Sequence, residues 1–123
     1  MNIYVAHSRD FDYKRDLYGP IRKSNLNSKY NFVLPHENNE KPFYSKDFFK
    51  KECDVILAEV SYPSTGLGIE LGWANFYNIP IICIYRKNVK LSGSLHAITN
   101  YFLEYSNSDE LISGIERKIS VLV

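Results

Sequence analysis

Neither sign of charge dominates this chain. Fifteen basic residues stand against fourteen acidic ones, a net charge of +1 over 123 residues. Without a basic face there is no electrostatic footprint for nucleic acid or for an anionic membrane, and a small neutral or singly charged ligand fits better. Cysteine is scarce as well: Cys53 and Cys83 lack CxxC spacing, which argues against a disulfide framework and a zinc site and leaves two small buried hydrophobes. His7, His36 and His96 fall in three separate loops with no ligand spacing, so neither a metal nor an organic cofactor is expected. No apolar run exceeds strand length, and the run "NIYVA" starts within the first few residues. A membrane span is therefore excluded, and the chain reads as soluble and cytoplasmic. There is no internal repeat, and the length suits a single domain, residues 1–123.

What is present is alternation. "DVILAEV" at 54–60 and "IPIICIY" at 79–85 are β-branched and nearly unbroken, the pattern of parallel strands buried on both faces. A glycine-containing loop and about a dozen helical residues lie between them, which reads as one right-handed strand-helix-strand unit. Residues 2–6, 30–34 and 101–105 supply three further strands. Helical segments are expected at 11–26, 45–53, near 93–98 and at 108–121, where Leu111, Ile112, Ile115 and Ile119 recur with the helical period. Gly19-Pro20 should break or kink the first helix, because the residue before a proline is pushed out of the helical region. The fold class is therefore α/β: a doubly wound, flavodoxin- or Rossmann-like sheet of five parallel strands with helices on both faces. Such sheets bind ligands beyond the carboxyl ends of their strands. The loops "AHSRD", "PHENNEKPFY", "SYPSTGLG" and "YRKNVKLSGS" should converge there.

The loop "PSTGLG" at 63–68 has two readings. Glycines ahead of a helix let backbone amides approach an anion, with Ser64 and Thr65 adding hydroxyls. Alternatively, Ser64 or Thr65 caps the helix, Gly66 and Gly68 make the turn, and Glu70 complements the helix dipole. With a helix beginning near Leu67, Glu70 has Leu67, Trp73 and Ala74 as its neighbours, none a partner for a charge. Carboxylates in apolar clefts are enriched at active sites, which favours function for Glu70. Such a carboxylate beside an anion-binding turn suits chemistry at a sugar carbon with oxocarbenium character. Glu59, at the end of the third strand, is open to either ligand contact or a structural hydrogen bond. His7 could face the pocket or bond to backbone. Phe43, Phe48, Phe49 and Trp73 could stack on a base, although most read as core.

The run "CDVILAEVSYPSTGLGIELGWANFYNIPIICIYR", residues 53–86, resembles the nucleoside 2-deoxyribosyltransferase superfamily, and in particular its 2'-deoxynucleoside 5'-monophosphate N-hydrolases. The likeness lies in the order of an aspartate, a buried strand, "AEV", "PS", "G-x-G-x-E-x-G-x-A" and a proline before the next strand. It implies cleavage or transfer at the N-glycosidic bond of a nucleoside or its 5'-monophosphate. Glu70 would form a glycosyl ester, with Tyr4 beside it. Ser8, Ser64 and Gly66, with His7 and Gly68 nearby, would hold the 5' end. Ser94 falls where these enzymes borrow a serine from the second subunit of a homodimer, which implies shared active sites. One position departs from the pattern. Lys46 occupies the place of the aspartate that handles the leaving base, and Asp47 is one residue out of register, about 100° around a helix. Either Asp47, Glu37 or Glu40 substitutes, or the protein is a nucleotide-binding module with little catalysis.

Overall fold

The computed structural model describes residues 1–38 and 44–122. Five strands, β1 (Asn2–His7), β2 (Asn31–Val33), β3 (Val55–Glu59), β4 (Ile81–Arg86) and β5 (Tyr101–Tyr105), form one parallel sheet in the order β2-β1-β3-β4-β5. The strands expected from apolar runs are all present. Every residue of β3 is buried, and so are the first four of β4.

Side-chain alternation along the strands creates two cores. On one face, Ile3, Val5, Leu57 and Ile84 meet Leu17, Ile21 in α1 (Gly19–Lys23), Leu26 in α2 (Leu26–Lys29), and Leu111, Ile115 and Ile119 of α5 (Ser108–Leu122). On the other, Tyr4, Ala6, Ile56 and Ala58 meet Phe49 of α3 (Ser45–Lys51) and Leu67, Leu71 and Ala74 of α4 (Thr65–Phe76). The sheet is therefore doubly wound. The chain leaves β1 toward one face and β3 toward the other, so a crevice opens between the carboxyl ends of these two neighbouring strands.

The first helix departs from its expected form. Gly19 remains helical, with φ −56° and ψ −53°, and its N–H bonds to the Lys14 carbonyl in a π-type turn over Lys14–Tyr18. Widening the turn absorbs the donor that Pro20 lacks, so Gly19-Pro20 does not break the helix. The break falls at Ser24, which is extended at φ −85° and ψ 164°. Helix α4 starts two residues before the expected Leu67 and ends in a Schellman motif. Asn78 is left-handed at φ 59°, its N–H bonds to the Asn75 carbonyl, and the Ile79 N–H bonds to the Ala74 carbonyl. Ile79 and Ala74 join the same core, and Pro80 then starts the approach to β4. The segment near 93–98 is a 3₁₀ turn, Gly93–Ala97.

Gly114 of α5 sits on Leu103, where a Cβ would lie 2.4 Å from a Leu103 methyl. Gly114→Ala should therefore cost about 1–3 kcal/mol by overpacking, outweighing alanine's better helix propensity. Adding Leu103→Val should recover part of it. Urea denaturation checks this; a midpoint at or above wild type would mean that α5 slides off Leu103 freely.

Candidate active site

The crevice holds a cleft of about 570 Å³, within the range of small-molecule sites. One wall comes from β1 and the loop after it, with Tyr4, His7, Ser8, Arg9 and Asp10; the other from Ser64, Gly66, Leu67, Ile69, Glu70 and Trp73 of the α4 region. Pro35, His36 and Ser45 close the remaining side.

Glu70 does have partners, but they come from other elements rather than from its own helix. Leu67 and Ala74 turn into the core, while Glu70 leans toward β1, where the Tyr4 hydroxyl donates to its Oε2 at 2.6 Å. Burial raises the Glu70 pKa, opposed by hydrogen bonds from Tyr4 and Ser45. Tyr4 is driven much further up, by burial first and then by the adjacent Glu70 charge. The two shifts are compatible once the proton is assigned: it stays on the phenol, and the carboxylate accepts. The Tyr4 ring is itself gripped edge-on by Phe49 at 4.8 Å.

The anion-binding candidates converge on the same mouth. Ser64 Oγ accepts from the Leu67 N–H at 3.2 Å, so it does cap α4, and it also lines the cleft beside Gly66. Ser8 is nearly inaccessible, and its Oγ accepts from the Asp10 N–H at 3.0 Å, which leaves the hydroxyl proton free to donate. Gly68 is not part of this lining; it faces another groove of about 300 Å³, together with Ser94, that meets the cleft at Ser64 and Leu67.

His7 fits both of its readings. It lines the cleft, and its Nδ1 lies 2.8 Å from the Ser8 carbonyl while its Nε2 lies 2.6 Å from the Tyr18 hydroxyl. A carbonyl can only accept, so Nδ1 carries the proton and Tyr18 donates to Nε2. The same Tyr18 oxygen accepts from the His36 N–H at 3.1 Å. The arrangement needs a neutral imidazole, and burial, helped by His36 and Arg9, lowers the His7 pKa to about 4.

The acid candidates fare differently. Asp47 lies on the exposed side of α3 and does not line the cleft. Lys46 stands over the Trp73 ring, 5.9 Å from its centroid. Glu37 is held by Arg22 through two bonds of 2.8 Å, which lower its pKa. Glu40 and Phe43 lie outside the described residues. Glu59 is fully buried, accepting from the Tyr105 hydroxyl and, at 2.5 Å, from the Ser61 N–H, so its role is a structural hydrogen bond. Phe49 is core, Phe48 packs beside Tyr4 at 6.1 Å, and of the described aromatic candidates only Trp73 lines the cleft. His96 lies against Phe102 on the 3₁₀ turn, remote from His7 and His36 in the chain. Among the described residues no cluster of three His, Cys, Asp or Glu could hold a metal ion, and no helix is long and apolar enough to cross a membrane. Arg9, Asp10 and His36 were expected here only as members of the converging loops "AHSRD" and "PHENNEKPFY", whereas Ser45, at the start of α3, carried no signal in the sequence.

No family model matches the chain, but curated relatives do. A protein of Trichoplax adhaerens, provisionally named 2'-deoxynucleoside 5'-phosphate N-hydrolase 1, is 33% identical over 91 residues, 69% of this chain and 63% of its own length. The chain resembles the N-hydrolase branch of the nucleoside 2-deoxyribosyltransferase superfamily. The human 5-hydroxymethyl-dUMP N-hydrolase is 47% identical over 36 residues, 29% of this chain and 21% of that protein. The chain thus spans less than two thirds of the length of these relatives. Among solved structures, the CMP N-glycosidase BcmB of Clostridium botulinum superposes with a TM-score of 0.69 at 20% identity, over 94% of this chain and 98% of its own. A conserved protein of Enterococcus faecalis V583 gives 0.61 at 18%, over 96% and 98%. These two share the fold.

The neutral state of His7 sets a pH dependence. Its folded pKa of about 4 lies below the ordinary value of 6.5, so the unfolded chain binds the proton first. The stabilisation is complete above pH 6.5 and is lost as the pH falls toward 4. Wild type should therefore lose roughly 2 kcal/mol relative to His7→Gln between pH 7 and pH 4.5. Urea denaturation of both proteins at the two pH values measures this, and a constant gap would mean that His7 titrates normally.

Proposed function

We propose that this protein cleaves the N-glycosidic bond of 2'-deoxynucleoside 5'-monophosphates, with Glu70 as nucleophile. The observation that carries this reading is the Tyr4–Glu70 pair, set in the crevice beside the anion-ready start of the helix that carries Glu70. Similarity to proteins named as N-hydrolases supports the substrate class. A Glu70 oxygen attacks C1', the bond from C1' to the base nitrogen breaks with its electron pair going to the base, and water then hydrolyses the glycosyl ester. Tyr4, kept protonated, holds one carboxylate oxygen and orients the other. Ser8, Ser64 and the first amides of α4 receive the phosphate. Trp73 offers a face for the base.

No carboxylate of the described cleft lining stands in for the missing aspartate except Asp10, on the phosphate side. A general acid typically contributes 10²- to 10⁴-fold, so we expect slow turnover. The same observation favours a second reading, a nucleotide-binding or sensing module. Free base released from a panel of nucleosides and monophosphates decides between them: binding without release supports the module. In the enzyme, Glu70→Gln keeps an acceptor for Tyr4 and should abolish release. A variant that retains more than about a tenth of the activity, a loss below about 1.4 kcal/mol of barrier, excludes covalent catalysis by Glu70.

We further propose a cytoplasmic homodimer with shared sites. Free Cys53 and Cys83 suit a reducing compartment. On α4, Ile69 is 49% exposed and Phe76 is 78% exposed, an apolar face for a second copy. Ser94 lines the groove with Gly68 and Gly72 and not the cleft of its own chain, which fits a role in a partner's site. Mixing inactive Glu70→Ala chains with inactive Ser94→Ala chains should restore one pocket in each mixed dimer. A monomer by light scattering, or exchange without recovery, makes Ser94 an ordinary loop serine.

A further inference from the structure

The two lips of the crevice leave the sheet in opposite directions. The last rung between β1 and β3 pairs His7 with Glu59, and beyond it residues 8–13 turn to one face while residues 60–66 turn to the other. Among the described residues no hydrogen bond or ion pair joins these two segments. One contact does: the Phe11 ring stacks on the Tyr62 ring, with centroids 4.8 Å apart and planes 18° apart.

Both ends of this stack are anchored. Phe11 meets His7 edge-on at 6.1 Å and Tyr13 at 6.2 Å, and His7 is fixed by Ser8 and Tyr18. Tyr62 follows Ser61, whose N–H is bonded to Glu59 and whose Oγ accepts from the Arg86 N–H at 2.8 Å. Both rings are half-buried, and neither lines the cleft. The stack therefore spans the opening without occupying it.

We propose that Phe11 and Tyr62 are positioning residues that set the width of the mouth and thereby select 5'-monophosphates over nucleosides; this rests on the function proposed above. A phosphate must be met from both lips at once, by Ser8 and Arg9 on one, where Asp10 also lines the cleft, and by Ser64 and the α4 amides on the other. Charge-assisted hydrogen bonds weaken steeply when the donors move apart. The sugar and base meet Tyr4, Glu70 and Trp73, which sit on β1 and α4 and do not depend on the stack.

Calorimetric titration of wild type, Phe11→Leu, Tyr62→Leu and Tyr62→Phe with 2'-deoxynucleosides, their 5'-monophosphates and inorganic phosphate tests this. Both leucine variants should lose at least about tenfold in affinity for monophosphates and phosphate, nucleoside affinity should change by less than about threefold, and Tyr62→Phe should match wild type. Unchanged monophosphate affinity, or an equal loss for nucleosides, overturns the positioning role. If wild type itself shows no preference for monophosphates, the phosphate part of the functional reading fails instead. The clasp is then decided by limited proteolysis: faster cleavage within residues 8–13 in both leucine variants sustains it, and unchanged rates overturn it.

Discussion

The hydrogen bond from Tyr4 to Glu70 is the constraint around which the cleft is arranged. A carboxylate removed from water tends to take up a proton, and a neutral carboxylic acid is a poor nucleophile. The fold answers with a phenol that is harder to ionise than the acid it faces, because its ring is enclosed by Phe48 and Phe49 and its charge would sit against Glu70. For the two groups to meet, the Tyr4 side chain must leave β1 on the face of the sheet that α4 covers. The strand order β2-β1-β3 provides this, since α4 leaves β3 and crosses over the second core.

Sequence periodicity revealed β3, β4 and α5 because their environments are uniform. A strand buried on both faces must be apolar throughout, and a helix laid on one core must repeat every three or four residues. Glu70 stood out for the complementary reason, a charge where the helical neighbours are apolar. The partners of Glu70 were not readable from the helix, because Tyr4 is 66 positions away in sequence. The π-type turn before Pro20 was also hidden. Rules for proline describe an α-helix losing one bond, not a helix that widens to remove the need for it.

Loop residues were the least legible. Arg22 reaches Glu37, Asn27 and the Phe32 carbonyl and so fastens the segment after β2 that carries His36 into the cleft. Tyr18 joins that segment to His7 through a single oxygen. Nothing in the local sequence marks Arg22 or Tyr18 for these tasks, because both act across elements that meet only in the folded state. The salt bridge also argues against Glu37 as a general acid: a guanidinium that holds the carboxylate twice lowers its pKa and keeps it ionised, with no proton to give the leaving base.

One buried glutamate and one half-buried one face similar surroundings with different consequences. Glu59 and Glu70 both have pKa values raised first by burial, and both accept a hydrogen bond from a tyrosine. Glu59 is closed off completely, with the Ser61 N–H taking its other oxygen, and it ties the end of β3 to β5 across β4. Glu70 remains half-open on the wall of the cleft. A nucleophile needs an oxygen that a carbon can approach, whatever its pKa, and of these two acids only Glu70 keeps one. Access, set by which side of the β1–β3 crevice the side chain faces, therefore separates the structural acid from the proposed nucleophile.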